Sequence, residues 1–160
     1  MFSSINRLFI LENIKLKKIV MFGFFLSLLG VADTTYLTIA HYAQTVILAC
    51  PSTSFINCAK VTTSSYSEIF GIPVALIGLI FFGLLLILQL PILWTNKYQW
   101  LEIPRLVFVS LGLVGALWFI YVELHKLHAI CLYCSGAHII IFLSFITILF
   151  AGERLKIAAN

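Results

Sequence analysis

The stretch that decides the fold is ICLYCSGAHIIIFLSFITILFA, Ile130 through Ala151. After Cys134 it carries no Asp, Glu, Lys or Arg. A helix needs roughly 20 mostly apolar residues to cross a bilayer, and this run has that length. Its head is the C-x-x-C unit Cys131-Leu132-Tyr133-Cys134. The segment therefore reads as a spanning helix with a dithiol at its N-terminus. Free backbone N–H groups and the helix dipole stabilise a thiolate there.

Three more apolar runs lie upstream, at 19–42, 69–93 and 104–124. With 130–151 they predict an all-α integral membrane protein. Its core would be a four-transmembrane-helix bundle, with an outer loop and half-helix as a lid. The chain is 62% apolar and 10% charged over 160 residues, and so small a chain has too little interior to hide that much apolar surface from water. The expected organisation is an interfacial cytoplasmic segment at 1–18, a catalytic transmembrane domain at 19–151 and a cytoplasmic tail at 152–160. In the first segment Leu8, Phe9, Leu11 and Ile14 offer apolar contacts to the membrane surface. The run at 19–42 is longer than the apolar core of a cleaved leader and contains Asp33.

The net charge of +4 does not point to nucleic acid, because the basic residues fall in short clusters between apolar runs. Arg7, Lys15, Lys17, Lys18, Lys97, Arg105, Arg154 and Lys156 lie at one end of the predicted bundle, and Lys60 and Lys126 at the other. The positive-inside rule then puts both termini and the 95–103 loop in the cytoplasm. Trp94, Tyr98 and Trp100 fit an inner interfacial belt.

Cys50 and Cys58 lie between the first and second runs, with Pro51 after the first of them. Two spans separate that loop from Cys131, so all four thiols share one side, outside the cytoplasm, where disulfides persist. Two same-side pairs read as a relay from partner thiols through the loop pair and the C-x-x-C pair to an acceptor in the membrane. A lipid-soluble quinone is such an acceptor. From spacing alone two further readings stay open: a pair of structural disulfides, and a four-thiolate zinc site.

In order along the chain, Cys50, the C-x-x-V-x-x-S pattern Cys58-Ala59-Lys60-Val61-Thr62-Thr63-Ser64, Gly71-Ile72-Pro73 and Cys131-Leu132-Tyr133-Cys134 resemble the vitamin K epoxide reductase family. The likeness runs over about 30–151, and a C-x-x-C that comes last separates it from Dsb-type quinone oxidases. The resemblance implies a membrane thiol–disulfide oxidoreductase with Cys50, Cys58, Cys131 and Cys134 catalytic. Cys134 would face the quinone, Cys131 would exchange with Cys58, and Cys50 with the substrate protein. Ser64 would hold the loop cysteines over the pocket. The acceptor would be a ubiquinone, menaquinone or vitamin K type quinone. The partner would be a separate thioredoxin-like (Dsb-type) protein, as the chain stops shortly after the last span. Val74 and His138 stand where vertebrate epoxide-reducing members carry Asn and Tyr. That favours ordinary quinone reduction in a bacterial inner membrane with a periplasmic site over an enzyme of the endoplasmic reticulum.

Asp33 falls roughly 21 Å from the inner end of the first run, and an intramembrane carboxyl is a functional candidate by default. His138, Trp118 and Tyr133 join it as possible proton or quinone-pocket residues, with Phe81 and Phe82 as further aromatic lining. Glu123, His125 and His128 read mainly as interfacial polar residues, with His128 as a possible proton carrier, and His41 as interfacial. Gly78, Gly112, Gly115 and Ala116 read as helix-packing positions. The segment 61–70 is expected to form a short helix lying over the pocket as a lid.

Overall fold

The computed structural model describes residues 2–43, 49–50, 53 and 55–159. The chain is dominated by four long helices: α1 (Phe2–Ala43), α3 (Val74–Leu88), α4 (Glu102–Tyr121) and α5 (Leu132–Ala159), with a short α2 (Cys58–Thr62) before α3. Lys97–Leu127 and Leu132–Glu153 are each long and apolar enough to cross a membrane; Val74–Leu88 is a shorter apolar helix. Pro51, the side chains of Leu8, Phe9 and Leu11, and those of Arg7, Arg154 and Lys156 lie outside what is described.

α1 packs against both α3 and α5, and α5 packs against α4, while α3 and α4 meet over a smaller stretch. Glycine sets these approaches. A Cβ on Gly30 would lie 2.3 Å from the Phe82 ring, and one on Gly112 would lie 2.3 Å from the Phe81 ring. Phe81 in turn stacks on Phe108 of α4, with centroids 4.6 Å apart. Small residues at crossings let helices pack closely where no water is present to drive association. The hydroxyls of α1 bond within the helix: Ser27 donates to the Gly23 carbonyl (3.1 Å), Thr34 to Gly30 (2.6 Å) and Thr38 to Thr34 (2.6 Å). Such back-bonding satisfies a polar atom on a buried face.

The outward faces are apolar. Val107, Leu111, Val114 and Trp118 form an exposed stripe along α4, and Ile139, Phe142 and Phe150 are exposed on α5. Their spacing is helical. A surface of this kind is stable in lipid and costly in water.

Three expectations change. The apolar run at 69–93 is not one helix. Phe70 (φ 53°) and Gly71 (φ 78°) turn a two-residue hairpin, Glu68–Ile69 against Ile72–Pro73, and α3 starts only after Pro73. At the other end α3 stops at Leu88, and Pro91 opens a separate 3-10 turn, as a ring without an N–H requires. The lid segment 61–70 is likewise not a single helix, because α2 ends at Thr62 and the hairpin follows. Finally, Trp94 is only 6% exposed. It lies in the core under the Arg105 guanidinium, 4.1 Å from its ring, rather than in an interfacial belt, whereas Trp100 is exposed. Arg105 donates from Nε to the Leu88 carbonyl and from Nη2 to that of Leu93, both at 2.8 Å. It thereby satisfies one carbonyl that the end of α3 leaves open and one at the end of the 3-10 turn.

Candidate functional site

The site forms where the loop after α1 meets the head of α5. Ile56 and Ile130 form a parallel β-bridge. The Asn57 N–H donates to the Ile130 carbonyl (3.0 Å), and the Ile130 N–H donates to Phe55 (2.9 Å). Each strand continues into a cysteine, so the bridge sets Cys58 beside Cys131. Asn57 also caps α2: its Oδ1 accepts from the Lys60 N–H at 2.9 Å, a standard use of Asn at a helix start.

Cys50 and Cys58 are joined by a disulfide, and Cys131 and Cys134 are free. Cys58 and Cys131 are almost wholly buried. With Val61 and Ala129 they form a small core of their own, against which Cys50, Leu127, Tyr133 and Cys134 pack. A bonded Cys50–Cys58 pair leaves too few thiolates for the four-thiolate zinc site that spacing alone had left open.

Cys131 sits just before the first residue of α5, and its Sγ accepts the Cys134 N–H at 3.4 Å. Hydrogen bonding from the Cys134 thiol, and then from its backbone amide, holds the Cys131 thiol below its usual range against the opposing effect of burial.

Below the dithiol lies an apolar cavity of about 470 Å³. α1 offers it Thr34, Leu37 and His41, α3 Val74, Gly78, Phe81 and Phe82, and α4 Phe108, Gly112, Gly115 and Phe119. Cys134, Ala137 and His138 come from α5, and Val61, Ser64 and Tyr66 close the top. A slot of this size and lining suits a planar apolar ring. Gly115 has no atom within 4 Å of a built Cβ; its missing side chain leaves room in the cavity rather than at a helix crossing.

Ser64 lines the cavity, donates from Oγ to the Val61 carbonyl (2.8 Å) and accepts at its own carbonyl from Ser67 Oγ (2.7 Å). It ties α2 to the hairpin. His41 reaches Glu68 across 3.2 Å, linking the end of α1 to the first strand. Tyr133 is not among the lining residues. Its ring lies 5.0 Å from that of Tyr36, its hydroxyl donates to the Ala49 carbonyl (3.2 Å), and Tyr36 accepts the Ala49 N–H (3.4 Å). The two tyrosines thus hold the residue before Cys50. Trp118 is 58% exposed and lies outside the cavity, because the rotation of α4 turns Phe119 inward. Asp33 also lies outside the lining, and its Oδ2 is buried with no hydrogen-bond partner among the described residues.

Glu123 has the sequence pattern of an interfacial residue, but the fold buries it. It is 5% exposed, lines the cavity and accepts the Cys131 N–H at its carboxyl. Only the turn between α4 and α5 brings it there, and helical periodicity does not register such a turn. His125 stacks on Tyr121 at 4.7 Å and His128 is exposed; neither lines the cavity.

No curated protein matches the chain at a significant level. A profile described as the vitamin K epoxide reductase family matches residues 21–149, the region that holds both cysteine pairs, the hairpin and the cavity. The chain therefore belongs to the vitamin K epoxide reductase family of membrane oxidoreductases.

Proposed function

We propose that the protein passes electrons from thiols of a thioredoxin-like partner through its two cysteine pairs to a quinone, and so makes disulfides outside the cytoplasm. The observation that carries this reading is the placement of a disulfide-bonded pair directly against a free C-x-x-C whose second thiol opens on an apolar cavity. In this reading all four long helices span a bacterial inner membrane, with the cysteines on the periplasmic side.

The partner's thiolate attacks Cys50 and releases the Cys58 thiolate, and a second partner thiol then frees Cys50. The partner leaves with a disulfide. Once a quinone has oxidised the C-x-x-C pair to a disulfide, the Cys58 thiolate attacks Cys131 across the bridge and releases Cys134, and Cys50 then attacks Cys58, which re-forms the loop disulfide and leaves the C-x-x-C as the free dithiol. Cys134 delivers the electron pair of that dithiol to the next quinone, which takes up two electrons and two protons as a hydroquinone. Ser64 and the tyrosine pair position the loop. The vitamin K family name also covers epoxide reduction, but Val74 and His138 at the cavity wall offer neither the amide nor the phenol of the vertebrate pattern.

The test is quinone reduction by purified protein in detergent with a reduced dithiol donor. Wild type is expected to turn over, and Cys134→Ala to fall to background with its fold intact. Well-folded wild type that is inert with ubiquinone, menaquinone and vitamin K analogues alike sinks the reading.

A further inference from the structure

The relay described above leaves unused the one carboxyl among the described residues that lines the cavity. Glu123 stands on a turn of π-helix, Val122–Leu127, that continues α4. The turn ends at His128 in the left-handed region (φ 46°). The Ala129 N–H then donates back to the Glu123 carbonyl at 3.1 Å. This reversal folds residues 129–131 over Glu123, so that the Cys131 N–H meets its carboxyl. Wide turns of this kind recur at functional sites.

A buried carboxylate is costly without partners. The Cys131 amide at the head of α5 is one such partner, and the helix dipole favours the charge there. A cap alone would not need to face the cavity. Glu123 does both: it touches the backbone of one redox cysteine and shares a cavity wall with the other, Cys134. Asp33, by contrast, does not line that cavity.

We propose that Glu123 is the proton-transfer group of quinone reduction, carrying the thiol protons of the C-x-x-C to the quinone oxygens. This deepens the function proposed above and rests on it. The Cys131 proton passes to the Glu123 carboxylate, which leaves a thiolate hydrogen-bonded by Cys134. Cys134 sulfur then adds to the quinone ring as its own proton shifts to Cys131, and Glu123 protonates the first ring oxygen. Cys131 next attacks Cys134, returning a proton to Glu123 as the S–S bond forms. The carbon–sulfur bond breaks, its electron pair enters the ring, and Glu123 protonates the second oxygen. Two S–H bonds and two electrons leave the dithiol, two O–H bonds appear on the hydroquinone, and Glu123 ends as it began. The ionisable groups near it are Cys131 just before α5, Cys134 and His138 on α5, and, across the cavity, His41 on α1 and Tyr66 in the lid, while Asp33 on α1 acts on Cys134 from outside the cavity.

The experiment compares the full chain with Glu123→Gln and Glu123→Asp in detergent, using decylubiquinone and a reduced dithiol. For Glu123→Gln, kcat is expected to fall about 100-fold with KM little changed. The acidic limb of the kcat–pH profile should disappear, and Glu123→Asp should restore part of both. Unchanged kcat and pH profile overturn the proposal. So does loss confined to thermal stability, or an acidic limb that vanishes in Asp33→Asn and persists in Glu123→Gln. A second readout does not need the quinone. Ultraviolet thiolate absorbance of the reduced protein against pH should move to lower pH in Glu123→Gln, because a negative charge beside the dithiol has gone. If wild type is inert with quinones while this shift is present, the quinone reading fails and the coupling of Glu123 to the dithiol stands. If the shift is absent, the proton role fails.

Discussion

Gly30 and Gly83 show how much one missing Cβ decides. Gly30 lies against the Phe82 ring, where a Cβ would fall at 2.3 Å, while Gly83 has nothing within 4 Å. Phe82 is 1% exposed, so its ring can give way only toward the cavity that it lines. Gly30→Ala is therefore expected to cost about 1–3 kcal/mol through overpacking, read as a lower Tm in detergent. Gly83→Ala should hold or raise Tm, because alanine is the better helix former by about 1 kcal/mol. Equal effects of the two substitutions would show that the α1–α3 crossing is not set by this contact.

Among the elements, the smallest one does most for the chemistry. The single Ile56–Ile130 bridge joins segments far apart in sequence and leaves Cys58 and Cys131 as the next residue or two along each strand. If this geometry carries exchange, Cys50→Ala with Cys134→Ala leaves two thiols that must find each other. A Cys58–Cys131 disulfide is expected to form in the oxidised protein, seen as a cross-linked peptide pair by mass spectrometry without reduction. Recovery of both residues as alkylated monomer peptides under oxidising conditions would contradict the arrangement. The hairpin and α2 act with the bridge: Ser64, Ser67 and the Val74 N–H, which donates to the Ser67 carbonyl at 2.9 Å, chain the loop to the head of α3.

At the scale of the whole molecule, unequal helix contacts create the cavity. α1 fills the gap between α3 and α5, whereas α3 and α4 touch lightly and leave an apolar space beneath Cys134. Gly115 borders it with no neighbour to clash. Gly115→Phe is expected to fill the slot, raising the quinone KM by about tenfold or more, with Tm nearly unchanged. Wild-type kinetics in this variant would place the quinone elsewhere on the bundle.

Much of this was legible in the linear chain. The apolar runs, the one-sided Lys and Arg distribution and the position of the C-x-x-C depend on composition and local order. Those features announce a helical membrane protein with thiol chemistry at one end, and the C-x-x-V-x-x-S spacing carries the family likeness. Hydrophobic periodicity could not mark where the run at 69–93 breaks. Phe70, Ile72 and Ile92 are as apolar as the helix between them, and positive φ at Phe70 and Gly71 leaves no trace in hydropathy. Residue type alone also could not say which side of α4 faces inward, so Trp118 and Phe119 were indistinguishable until helix rotation chose Phe119. Arg105 has the residue type of a loop charge, yet it is fully buried, because the carbonyls that end α3 and the 3-10 turn after it lie within its reach. Glu123 looked interfacial for the same reason. Its place over Cys131 comes from a reversal of the backbone between two helices, and contacts made across a turn belong to the fold rather than to the pattern of residues along the chain.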